Sequence, residues 1–184
     1  KMKYLFPLLF LFSCTPTKTK HKTEQTVRTN FSDEQQKIIQ QARAIIKNCY
    51  FGTFITIDKN GQPRARVMEP FAPDENFVIW LATNPKTRKV KQLQNNPKAT
   101  MHYFDKANLG YVSLMGKATL VNDEATKASK FKNGWDKFYP NQKEDYLLIK
   151  FVPEALELIS IPNGFTGDEL DWKPHRIELK VLQN

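Results

Sequence analysis

From Ser32 onward the hydrophobic positions follow two periods in turn, and each switch marks an element. Ile38, Ile39, Ala42, Ile45 and Ile46 fall on one stripe of helical spacing within "SDEQQKIIQQARAIIKNC". Ser32 and Gln35 form a capping box at its start. The period then shortens to two. "YFGTFITIDKNGQPRARVMEPFA" reads as a hairpin turning at Asn60-Gly61. "FVIWLA" is a continuous apolar run of strand length. "ATNPKTRKVKQLQNNPKA" reads as a helix with Asn84 as N-cap, Pro85 at its first position and a stop at Asn95-Asn96-Pro97. "KATMHYF" and "YVSLMGKATLV" are strands, and Gly116 inside the second marks a bulge or a close backbone approach. "NDEATKASKFKNGWDKF" reads as a helix. "YLLIKFV" and "ALELISI" read as two strands around a turn at Pro153-Glu154, and a strand-like piece lies near the end.

Strands therefore mostly follow strands through short turns. That order predicts a mainly β (α+β) domain, an antiparallel sheet or small barrel with a few helices packed outside. A parallel dinucleotide-binding sheet is excluded by the order, and neither G-x-G-x-x-G nor a P-loop occurs.

The front of the chain has a different character. Lys1 and Lys3 precede "YLFPLLFLF", an apolar run too short to span a bilayer, and "LFSC" follows. Leu11, a small residue and Cys14 resemble a bacterial lipoprotein cleavage box, with Phe12 bulkier than is usual there. The pattern divides the chain into a signal peptide over 1–13, a flexible tether over 14–31 behind a lipidated Cys14, and a folded domain over 32–184. The alternative is an ordinary secretory signal with Cys14 incidental. The tether has almost no large apolar side chain with which to order itself. Its lysines suit anionic headgroups. On this reading the protein is lipid-anchored in the bacterial cell envelope, facing the periplasm or the exterior. Cys49 is left without a partner for an intramolecular disulfide and reads as a buried small hydrophobe.

The formal charge of +9 invites a nucleic-acid reading, but its distribution argues against one. Lys1, Lys3, Lys18, Lys20, Lys22 and Arg28 against Glu24 account for +5, leaving +4 for the rest. Metal binding is not indicated, since His21, His102 and His175 are far apart and no cysteines pair. No nucleophile-elbow pattern supports a hydrolase triad.

One cluster departs from ordinary helix chemistry. Lys86, Arg88, Lys89 and Lys91 crowd a helix start, where the macrodipole already places positive charge and favours anions. Free N–H groups, the hydroxyls of Thr83 and Thr87, and a forked guanidinium are the components of a phosphate site. Upstream, Arg64, Arg66 and Met68 alternate along one strand and share a face. A solvated basic face is the competing reading of the same residues.

The order R-x-R-V-M, an acidic turn, a strand ending W-L-A-T-N, then T-R-K-V, "NNPKATMHYF" and "YVSLMGKATLV" resembles the pyridoxamine 5'-phosphate oxidase-like flavin-binding split barrels, and among them the general stress protein branch. The similarity runs from Asp33 to Ile161, and the "TN…[ST]RK…NNP" block is its most specific part. The resemblance implies an antiparallel split β-barrel with a few peripheral helices and FMN held at a homodimer interface. It implies that Arg66, Thr83, Thr87, Arg88 and Lys89 hold the phosphate and that the backbone of Val67 and Met68 lies along the isoalloxazine. A further flavin-edge position falls on Tyr111, where many oxidases of the family carry Gln. "WKPHRIEL" does not reproduce the C-terminal Arg-x-His substrate signature, so vitamin B6 oxidation is not implied. Trp172 is placed either over the flavin or in a core or dimer contact. The expected function is an FMN-binding, flavin-dependent oxidoreductase of unknown substrate, tethered to the envelope. The alternatives are a flavin or small-ligand module without turnover, and a scaffold with an empty pocket. Deazaflavin and haem are used by relatives of the fold.

Overall fold

The computed structural model describes residues 31–179. The signal, tether and Cys14 expectations lie outside the described residues.

Helix α1 (Asp33–Asn48) starts as its sequence requires. Ser32 Oγ accepts the Gln35 N–H at 3.2 Å, and Gln35 Oε1 accepts the Ser32 N–H at 3.0 Å. Its buried stripe is Ile38, Ala42, Ile45 and Ile46. Strands β1 (Gly52–Ile57) and β2 (Pro63–Met68) form the hairpin, with Asp58 organising the turn by accepting the N–H groups of Asn60 and Gln62. They are followed by β3 (Ile79–Thr83), α2 (Arg88–Asn95), β4 (Lys98–Asp105), β5 (Gly110–Val121), α3 (Glu124–Ser129), α4 (Gln142–Asp145), β6 (Leu147–Ser160) and β7 (His175–Glu178).

Every strand pairing is antiparallel, in the order β2-β1-β4-β5-β6-β3, with β7 also on β6. The fourteen-residue β6 joins the two halves. β5 runs along one of its edges, while the other edge is shared by β3 over Leu147–Phe151 and β7 over Ala155–Leu158. The sheet curls into a half-barrel, as the expected split barrel requires. A row of directly paired residues, Phe54, Met101, Leu114 and Leu156, crosses four strands on the inner face, each wholly buried. Burying one such side chain contributes roughly 1.5–3 kcal/mol. The stripe of α1 packs against this row. A second cluster of Trp135, Tyr146 and Leu148, with Phe71, Trp80 and Phe131 around it, stands beside β3.

Three expectations are corrected. "YLLIKFV" and "ALELISI" are one strand, not two. The bend at Pro153 is absorbed by a register shift between Met115 and Gly116 on the neighbouring strand. Gly116 permits it, since a Cβ there would overlap the Val152 carbonyl and lie 2.6 Å from Pro153 Cα. "NDEATKASKFKNGWDKF" is not one helix. α3 ends at Ser129, and Gly134 at φ 83° separates it from a single 3-10 turn at Trp135–Lys137. Finally, α2 is capped at Thr87, not Asn84. Asn84 Oδ1 accepts the Lys86 N–H at 2.9 Å and its carbonyl accepts the Thr87 N–H at 3.1 Å. That closed turn leaves Thr87 extended, so helical geometry begins only at Arg88.

Candidate functional site: a cationic cradle at the edge strand

The cradle forms where β2, β3 and the start of α2 meet. β2 is an edge strand, so one side of its backbone has no partner in the sheet. Arg66 pairs with Phe54 and therefore projects toward the inner face. Its Nη1 donates to the Phe54 carbonyl at 3.2 Å and to Thr56 Oγ1 at 2.7 Å, and its Nη2 to Gln92 Oε1 at 3.1 Å. β3 ends at Thr83, whose buried hydroxyl accepts from Lys89 Nζ at 3.0 Å. The Thr83 and Thr87 hydroxyls are 3.1 Å apart. The Asn84 carbonyl lies 2.9 Å from the Thr87 hydroxyl and 3.4 Å from that of Thr83, so Thr87 is the better-placed donor to it, and Thr83 then donates to Thr87. The chain thus runs from Lys89 through both hydroxyls to Asn84.

The electrostatics are one-sided. Burial, and then the charge of Arg88, lowers the Arg66 guanidinium from its ordinary value. Burial, and then Arg66, lowers the Lys89 ammonium. Arg66, Arg88 and Lys89 thus converge, and among the described residues no ion pair neutralises any of them. A basic face that is merely solvated does not require half-buried cations in mutual reach. An anion lowers the energy of this arrangement, and a phosphate matches its mixture of fork, ammonium and hydroxyls.

Five of the expected residues, Arg66, Thr83, Thr87, Arg88 and Lys89, come together here. Val67 and Met68 continue β2 from Arg66. Met68 packs on the core, whereas Val67 is 68% exposed on the outer face. Tyr111 is not part of the cluster within one chain. It lies on the outer face of β5, its ring 5.5 Å from that of His102. Arg64, grouped with Arg66 by alternation, is engaged elsewhere, since its Nε pairs with Asp58 at 2.8 Å. Lys86 lies 3.9 Å from Asp145. Trp172 is 75% exposed, so a core role is ruled out within one chain. Cys49 is half-buried against the core, and burial and Asp105 push its thiol up, so it stays protonated. Two residues of the cradle, Thr56 and Gln92, were not anticipated. Gln92 was legible in principle, being four residues after Arg88 and three after Lys89 on one helix face.

No group of His, Cys, Asp and Glu among the described residues could hold a metal ion.

Fold and cradle together define an antiparallel split-barrel protein with a cluster of cations beside its edge strand. A family model described as pyridoxamine 5'-phosphate oxidase matches residues 38–160, and the chain belongs to that family. Comparison with curated proteins gives no match. Among solved structures, a Clostridium acetobutylicum protein related to general stress protein 26 of Bacillus subtilis superposes with TM-score 0.66 at 21% identity, covering 78% of this chain and 96% of that one. A pyridoxamine 5'-phosphate oxidase-related, FMN-binding protein from Nostoc punctiforme superposes with TM-score 0.57 at 12% identity, covering 83% and 99%. A heme-binding protein from Mycobacterium smegmatis superposes with TM-score 0.56 at 16% identity, covering 75% and 56%. At these identities the likeness is one of fold.

Proposed function

We propose that this chain binds FMN and acts as a flavin-dependent oxidoreductase, with the phosphate in the cradle of Arg66, Thr83, Thr87, Arg88 and Lys89. The observation that carries the reading is that half-buried Arg66 and Lys89 stand beside Arg88 with no ion pair to any of the three among the described residues. The Nostoc relative is described as FMN-binding, and family membership supports the same ligand. Bound flavin supplies the redox chemistry. The chain's own residues bind and orient it. Arg66 and Lys89 fix the phosphate, and the unpaired edge of β2 at Val67 and Met68 offers backbone donors and acceptors along a ring. No acid or base is assigned.

The functional unit on this reading is a homodimer. Val67 and Phe104 expose large apolar surface, 68% and 57%, on the outer face that also carries Tyr111. A second copy covering that face places Tyr111 at the interface. The lipid-anchored envelope location through Cys14 belongs to the same proposal.

The test is the absorption spectrum and mass of what co-purifies with the full chain. Bands near those of free flavin, with a released mass equal to FMN, are expected. A Soret band would replace this reading with haem binding, as in the mycobacterial relative's description. Colourless protein that takes up no added FMN overturns it in favour of an empty scaffold. Reduction by a nicotinamide donor and reoxidation by an acceptor separate an oxidoreductase from a module without turnover.

A further inference from the structure

Among the described residues the guanidinium of Arg66 is held by neutral oxygens alone, and one of them belongs to Gln92. Gln92 Oε1 accepts from Arg66 Nη2 at 3.1 Å and from Thr56 Oγ1 at 2.6 Å. Thr56 in turn accepts from Arg66 Nη1 at 2.7 Å, so three side chains close a ring. Arginine only donates, so the amide oxygen must face it and the amide nitrogen must point away. Gln92 Nε2 has no partner among the described residues and is not sealed from solvent. Thr56 and Gln92 are buried, so this arrangement is built into the fold and is not a surface contact. Gln92 also shares a helix face with Arg88 and Lys89, which places it on the cradle side of α2.

We propose that Gln92 is the specificity-determining residue of the cradle, selecting a phosphate ester over its dephosphorylated form. This rests on the flavin-phosphate reading above. Its oxygen fixes Arg66 without cancelling the charge, and its Nε2–H groups are left to donate to a phosphate oxygen. A carboxylate in the same place would pair with Arg66 and remove the charge the anion needs. An apolar side chain would leave Arg66 charged but abandon the Thr56 proton and one guanidinium N–H without an acceptor. A neutral amide is the side chain that avoids both faults.

The experiment measures FMN and riboflavin affinities of the full chain by flavin fluorescence, for the parent, Gln92→Glu and Gln92→Met. The parent prefers FMN over riboflavin. Gln92→Glu lowers FMN affinity at least tenfold and leaves riboflavin within twofold. Gln92→Met falls between the two for FMN. The order is informative, because Glu is the closer isostere and a purely structural role would make Met the worse variant. Unchanged FMN affinity in Gln92→Glu, a parallel loss of riboflavin, or a greater FMN loss in Gln92→Met overturns the proposal while leaving the flavin site standing. If Gln92→Glu does not fold, Gln92→Met must still lower the preference for FMN, and an unchanged preference overturns the proposal. A parent that binds riboflavin as well as FMN, or neither, overturns the phosphate reading itself and Gln92 with it.

Discussion

At the scale of single residues, the cradle is a place where folding stability is set against function. Bringing Arg66, Arg88 and Lys89 together without a carboxylate destabilises the free fold, and a bound anion relieves it. Replacing Arg88 and Lys89 together by Ala is therefore expected to abolish FMN binding, by about a hundredfold or more, in a protein that still melts cooperatively at or above the parent temperature. Calorimetric titration and a thermal melt check both halves. The lowered Lys89 value also fixes the sign of a pH effect. On the proposed reading the charged ammonium binds the phosphate, so raising pH through that lowered value removes it, and FMN affinity is expected to decline at less alkaline pH than an ordinary lysine would give. Lys89→Arg is expected to flatten the alkaline limb, since a guanidinium stays charged there. An FMN affinity that is level across that limb in the parent removes Lys89 from the phosphate. A different residue carries a cost with no visible return. The Tyr103 hydroxyl is buried without a hydrogen-bond partner among the described residues, and burial pushes its proton affinity up so that it stays neutral. Tyr103→Phe removes the orphan and keeps the ring, so it is expected to fold and to gain about 1 kcal/mol in denaturant unfolding.

At the scale of elements, the turning points of the fold depend on contacts that a local pattern does not contain. β6 survives Pro153 only because β5 yields opposite it, and β5 yields because position 116 has no side chain. Gly116→Ala is accordingly expected to cost about 3 kcal/mol, the upper range for forcing extra atoms into a packed site, read as a drop in melting temperature. The same dependence explains what was legible and what was not. The α1 stripe, its capping box, the β1–β2 hairpin and the β4–β5 pair are local patterns, and each appears in the structure where the sequence places it. The start of α2 shifted by three residues because Asn84 competes for its own backbone through an Asx turn, a choice that propensity alone leaves open. The cradle followed the same division. Arg88 and Lys89 were visible because a helix start rich in cations contradicts its own dipole. Thr56 and Gln92 were not, because a buried Thr in a strand and a Gln in a helix are unremarkable until Arg66 reaches the first across the hairpin and the second on α2.

At the scale of the whole molecule, two groups of cations have different physical consequences. Arg66 and Lys89 of the cradle are half-buried with Arg88 exposed beside them, and on the proposed reading they act at contact range on one ligand. The tether lysines Lys18, Lys20 and Lys22 are spread along a segment poor in apolar residues and can act only through the field they present to a surface. Attraction of that kind is screened over about 8–10 Å at ordinary ionic strength and is largely lost at about 1 M salt. A lipid at Cys14 would hold by chain burial, which salt does not weaken. The two sources of membrane association are therefore separable. The parent protein is expected to stay with the membrane fraction through a wash at about 1 M salt and to leave it in detergent. Cys14→Ser is expected to appear in the soluble fraction even at low salt, with its flavin content unchanged, because the cradle lies in the described domain and the anchor does not. Release of the parent by salt alone would assign the attachment to the lysines and remove Cys14 from it. A Cys14→Ser protein that stays bound in salt would place the anchor in another segment. In either case the flavin spectrum of the Cys14→Ser protein reports whether the cradle works without a lipid at Cys14, which is the independence that the division of charge predicts.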